Sequence, residues 1–217
     1  MSVSQVVKEL RLPGVSSASD VADIFAAVSS VQAEAMEELV SRCERLLLDH
    51  STVNDEASRV LLAKALVALL PRSLSAIGRV LRIQRDPLMY EVQFSVLCFL
   101  ADAPSLFPST APSILSLVRE YLLNVASDEA QAAWMAGHLL GEHWNGPEAT
   151  DVLIECAVRG ARLAGRAAAT HGLGEQLERG SLDRVRILKT IRKLARTDKA
   201  AGVRAAARLV LKKSRAP

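Results

Sequence analysis

The stretch AGHLLGEHW, residues 136–144, gathers two histidines, a glutamate and a tryptophan within one helix-length window. Taken alone it has the composition of a metal site. Shifted by 33 residues, however, it falls on ATHGLGEQL, residues 169–177. Ala136 meets Ala169, His138 meets His171, Leu140 meets Leu173, Gly141 meets Gly174 and Glu142 meets Glu175. His143 meets Gln176 and Trp144 meets Leu177, so the second copy lacks half of the would-be ligands. A pattern that recurs at a spacing of some 20–50 residues marks a repeated structural unit. The expectation is therefore a helix end that repeats, with no metal.

Looser copies extend the pattern. An alanine followed four residues later by a leucine closes apolar segments at Ala65/Leu69, Ala136/Leu140, Ala169/Leu173 and Ala207/Leu211, and Leu100 closes SVLCFL. The leucines are separated by 31, 40, 33 and 38 residues, the 40 spanning the proline-rich DAPSLFPSTAPS of 102–113. Between these ends the apolar residues recur at helical spacing, as in Leu62, Leu66 and Leu69. In SLDRVRILKTIRKLART, Leu182, Val185, Leu188, Ile191 and Leu194 recur every third position and predict a buried stripe. No segment alternates apolar and polar residues at period two, so no sheet is expected.

Helix punctuation agrees. Ser19 or Asp20, Asp55, Asp86 before Pro87, Ser127 or Asp128, Ser181, and Thr197 or Asp198 carry the short oxygen-bearing side chains that accept from the free N–H groups of a first turn. Pro71, Asn145-Gly146-Pro147 and Gly180 are the expected stops.

These units resemble the HEAT-repeat family. DKAAGVRAAARLVL (198–211) carries that family's acidic turn and its Val-Arg pair at Val203-Arg204, and LLGE (139–142) and GLGE (172–175) resemble its Leu-Gly ending. The resemblance covers roughly 55–217 and places second helices at 73–84, 112–125, 147–159 and 181–196. It implies an all-α, right-handed solenoid of about five helical pairs, with 17–52 as capping helices that cover an open end and 1–16 as an N-terminal extension. It also implies a non-catalytic scaffold that grips a partner protein in a groove lined by the second helices.

Composition fits this picture. The chain has 217 residues, 50% apolar but only 4% aromatic. Alanine and leucine lose little on entering a helix, while the residues that favour strands are scarce. The most apolar windows, 60–70 and 94–101, fall short of the roughly 20 residues needed to cross a bilayer. MSVSQVVKEL has no basic stretch leading into an apolar run, so no secretory leader is expected. Cys43, Cys98 and Cys156 lie far apart among apolar neighbours, which fits buried thiols in a reducing, cytoplasmic setting.

The net charge of +3 conceals a division. Residues 1–158 hold 11 Lys and Arg against 20 Asp and Glu; residues 159–217 hold 16 against 4. Arg204, Arg208 and Lys212 form one stripe, Arg186, Lys189, Lys193 and Arg196 a second, and Arg162 with Arg166 a third pair. This basic face is the expected binding surface, for an acidic protein or, alternatively, for a nucleic-acid backbone. No Phe, Tyr or Trp follows Trp144, so base stacking is not available there. The acidic front and basic rear also permit head-to-tail self-association.

Catalytic motifs are absent. His138-x-x-x-Glu142-His143 lacks the two histidines four apart of zinc-peptidase helices. There is no Gly-x-Ser-x-Gly elbow and no phosphate loop, and no cofactor is expected. One enzymatic alternative stands on fold analogy alone: HEAT-like alkylpurine DNA glycosylases use an aspartate and aromatics, parts for which Asp128, Trp134 and Trp144 are available.

Overall fold

The structure is a computed structural model, and it describes residues 33–49, 55–83, 87–126, 131–144 and 146–214. The expected extension 1–16, the start at Ser19 or Asp20, and Asp86, Ser127, Asp128 and Asn145 lie outside these residues. Among the described residues every regular element is a helix and none is a strand, as the periodicity predicts. No described helix is long and apolar enough to cross a membrane. The chain divides into two compact units, 1–114 and 115–217.

The first unit contains α1 (Ala33–Leu47), α2 (Glu56–Ala68), α3 (Leu74–Arg82), α4 (Pro87–Phe99) and the short α5 (Ala103–Leu106). α2 follows Asp55 and stops before Pro71, whose ring cannot continue a helix. In its second half Leu62, Ala63, Ala65, Leu66, Val67 and Ala68 are buried. α3 is amphipathic: Ile77, Val80 and Leu81 are buried, while Arg79 and Arg82 point outward. Gln93 of α4 is fully buried. Its Nε2 donates to the carbonyls of Val80 (3.1 Å) and Ile83 (2.6 Å), supplying partners that the C-terminal turn of α3 lacks within the helix.

Contacts within this unit keep a steady sequence offset. Glu37 pairs with Arg72 at 3.5 Å, Glu44 with Arg79, and Arg59 with Glu91 at 3.6 Å. The Lys64 ammonium sits 5.2 Å from the centre of the Phe99 ring. Partners at a constant difference in residue number belong to helices running in the same direction; antiparallel partners would keep a constant sum. Hence α1 runs parallel to α3, and α2 to α4.

The break expected over 102–113 is narrower than the three prolines suggest. Pro104 lies in the first turn of α5, and Pro112 in the first turn of α6 (Ala111–Asn124), where the missing N–H has no helical partner to lose. Only 107–110 is non-helical there.

α6 runs on into the second unit, which continues with α7 (Gln131–His138), α8 (Pro147–Arg159), α9 (Leu163–Glu178), α10 (Arg184–Thr197) and α11 (Ala201–Lys213). The last turn of α7 widens into a π turn over Leu139–His143, closed by Trp144 N–H donating to Leu139 O at 3.1 Å. Gln176 of α9 ties this end down. Its Nε2 donates to Leu140 O (3.2 Å), and its Oε1 accepts from Thr150 Oγ1 of α8 (2.7 Å).

α9 packs against α7, α8 and α11 and is buried on several sides, which explains its small residues. A Cβ on Gly137 would meet the Ala168 carbonyl carbon at 2.6 Å, and one on Gly141 would meet Gly172 Cα at 2.7 Å. Backbones approach here because Gly137 and Gly141 of α7 carry no side chain, and at Gly172 neither does α9. The offset seen in the first unit recurs: Arg119 pairs with Glu155, Asp151 with Arg186, Arg166 with Asp198, and Glu178 with Lys213. α7, α9 and α11 thus run parallel in succession, as do α6, α8 and α10.

Two sequence expectations fare differently. Gly180 ends α9 at φ +77°, with Ser181 N–H donating to Gln176 O and Gly180 N–H to Leu177 O, the paired bonds of a glycine-terminated helix. The stripe in α10 is shifted: Ile187, Ile191, Leu194 and Ala195 are buried, whereas Leu182 and Val185 are exposed. A strict period of three walks about 60° around an α-helix at every step, so it cannot stay on one face. The buried residues keep the spacing of four and three that does.

Candidate functional site

The structure separates the nine expected basic residues. Lys189, Lys193 and Arg196 on α10, Arg208 and Lys212 on α11, and Arg162 before α9 are exposed. Arg186 is half-exposed and paired with Asp151. Two residues make hydrogen bonds within the unit. Arg166 is 4% exposed; its Nε and Nη2 donate to Asp198 at 3.1 and 3.2 Å, and its Nη1 to Gly160 O at 3.0 Å. Arg204 Nη1 donates to the carbonyls of Asp198 (2.7 Å) and Lys199 (3.1 Å) at the end of α10. Arg166 is committed inside the unit, because a buried guanidinium must have its donors matched, whereas Arg204 remains partly exposed.

Sequence reasoning also missed apolar residues on this surface. Leu182, Val185 and Leu209 are exposed beside the cations of α10 and α11. Val185, Lys189, Arg192 and Arg196 follow one another at helical spacing along the outer side of α10. A cavity of about 400 Å³ lies between the end of α8 and α10, lined by Arg159, Arg166, Lys193, Leu194 and Lys199 among others.

A second arrangement lies where α7 meets α9. His138 Nδ1 is 2.5 Å from Glu175 Oε1, and His171 Nε2 is 3.0 Å from the same oxygen. The His171 contact lacks the geometry of a hydrogen bond, leaving His171 Nε2 and Glu175 Oε2 buried without hydrogen-bond partners. The Trp134 ring stacks on His138 at 5.1 Å and on His171 at 5.4 Å. His143 meets His138 edge-on at 5.5 Å. Burial pushes the Glu175 carboxyl up, but contacts from His171 and His138 outweigh it and hold the group below its ordinary value.

Glu142, one turn beyond His138 on the same helix, accepts from Arg179 Nη1 at 2.6 Å. The carboxylate that reaches His138 is Glu175, from the next copy of the pattern. The signal was present in the recurrence itself. Parallel neighbouring helices set equivalent positions side by side, so a histidine repeated at that spacing becomes a pair.

Trp144 is 7% exposed and Trp134 48% exposed beside the histidines; Asp128 is outside the described residues. Burial pushes the thiols of Cys43 and Cys156 up to about 12 and raises that of Cys98, which leaves them protonated and poor nucleophiles near neutrality. Comparison of the chain with family models, with curated proteins and with solved structures finds no match.

Proposed function

We propose that the protein is a non-catalytic, HEAT-like α-solenoid of about five helical pairs that binds an acidic partner protein through α10 and α11. The solenoid reading is supported by parallel helix contacts at offsets near 35 residues within each unit, such as Glu44–Arg79 and Asp151–Arg186. The observation that carries the partner reading is the mixture on the outer side of α10 and α11. Leu182, Val185 and Leu209 are exposed among Lys189, Lys193, Arg196, Arg208 and Lys212. Carboxylates steer toward such a surface, and apolar groups give it an area to bury. The cavity beside Lys193 and Lys199 offers an acidic side chain a seat.

A second reading, binding to a nucleic-acid backbone, draws on the same cations. The exposed aliphatic residues favour protein, since phosphate contacts gain nothing from them. One comparison separates the two: capture by nuclease-treated wild-type protein and by a Lys189→Glu/Lys193→Glu/Leu209→Ser variant. A protein retained by the first and lost by the second supports the proposal. No such protein, together with a duplex mobility shift that weakens steeply with salt, replaces it with the second reading.

A further inference from the structure

The geometry points to a divalent transition-metal site formed by His138, His171 and Glu175, at the contact of α7 with α9. His138 Nδ1, His171 Nε2 and a carboxylate oxygen of Glu175 lie within 4.8 Å of one another. A tetrahedral zinc ion with bonds of about 2.0–2.1 Å holds its ligand atoms roughly 3.3 Å apart. Reaching that spacing means opening the 2.5 and 3.0 Å contacts and closing the two imidazole nitrogens, which lie within 4.8 Å, by up to about 1.5 Å.

The surroundings also fit. His171 Nε2 and Glu175 Oε2 are buried atoms without hydrogen-bond partners, and an ion between them would engage both. Trp134 stacks on both imidazoles, which restricts their rotation. Gly141 makes room for the carboxylate, since a Cβ there would collide with Glu175 Oε2. The imidazoles remain partly exposed, which gives an ion a path in. Three protein ligands leave a fourth position open, and the His143 ring lies 5.5 Å from that of His138. Two imidazoles with a single carboxylate suit zinc, cobalt, nickel or copper over magnesium or calcium, which require more oxygen ligands. The bound ion would clamp α7 to α9, and its inferred role does not depend on the partner proposal.

The test is calorimetric titration of zinc into the full, tag-free chain after removal of metal with a chelator. Wild-type protein is expected to bind one ion per chain at micromolar Kd or tighter, and its thermal midpoint to rise with zinc. Glu175→Gln keeps the size and hydrogen-bonding capacity of the side chain; with folding verified by circular dichroism, it is expected to weaken binding at least about tenfold. His138→Ala and His171→Ala should do the same and abolish the visible spectrum of a tetrahedral cobalt complex seen with wild type. No binding by wild type at about 100 μM zinc overturns the site. So does binding left unchanged by Glu175→Gln in a folded protein, because the ion would then sit elsewhere.

Discussion

Glu175 on α9 lies 2.5 Å from His138 on α7, thirty-seven residues earlier, and one turn further on Arg179 reaches Glu142 across the same thirty-seven residues. Two successive contacts at one offset fix the relative direction and register of the helices. They also explain why residues that recur in the sequence become neighbours in space. Arg119–Glu155 and Arg166–Asp198 continue this relationship within the same unit.

Arg166 and Asp198 form the most buried ion pair among its described residues, with side chains 5% and 7% exposed. Removing one partner of such a pair strands the other charge and costs about 3–5 kcal/mol. Asp198→Ala is expected to lower stability by roughly that amount in denaturant unfolding. Arg166→Met/Asp198→Leu should recover much of the loss. A single variant as stable as wild type would show that the guanidinium is not held as described.

The glycines of α9 and α7 give a contrast within one chemistry. An alanine at 137 meets the backbone of Ala168, which cannot turn aside, whereas an alanine at 174 meets Val210 Cγ2 at 2.8 Å. Gly→Ala inside a helix gains about 1 kcal/mol, against roughly 1–3 kcal/mol for overpacking. Gly137→Ala should therefore lose about 2 kcal/mol, and Gly174→Ala stay within about 1 kcal/mol of wild type, as read by thermal unfolding. Equal effects would contradict the backbone contact.

Part of this was legible from residues alone. Gly180 and the Pro147 start were readable because glycine takes the positive φ of a helix end without penalty and proline is pre-set for a first helical turn. The phase of α10 was not, because Val185 and Ile187 are equally apolar and only the neighbouring helix decides which is covered. Arg166 read as a surface cation for the same reason: Asp198, which buries it, lies 32 residues away. The histidine pair was half visible. The recurrence of His138 at His171 was plain, but its use depends on the two helices lying side by side in parallel.

Glu155 supplies a pH-dependent contribution. Hydrogen bonds from Arg119 at 2.6 Å hold its carboxyl below the usual value. A group whose folded-state pKa is lowered stabilises fully above its unfolded value, and that stabilisation is lost as pH falls through the folded value. The difference in Tm between wild type and Glu155→Gln is therefore expected to shrink as pH drops from about 6 to about 3. A difference that grows on acidification would reverse the assignment.

The parallel register of α7 and α9 is tested most directly by NMR on the labelled 23.4 kDa chain. A Cβ on Gly141 would stand 2.7 Å from Gly172 Cα, so an Hα of Gly141 occupies that direction. A nuclear Overhauser cross-peak between the Hα protons of Gly141 and Gly172 is predicted. Assigned resonances for both glycines with no such cross-peak, or with Gly141 contacting the opposite end of α9, would contradict the parallel arrangement.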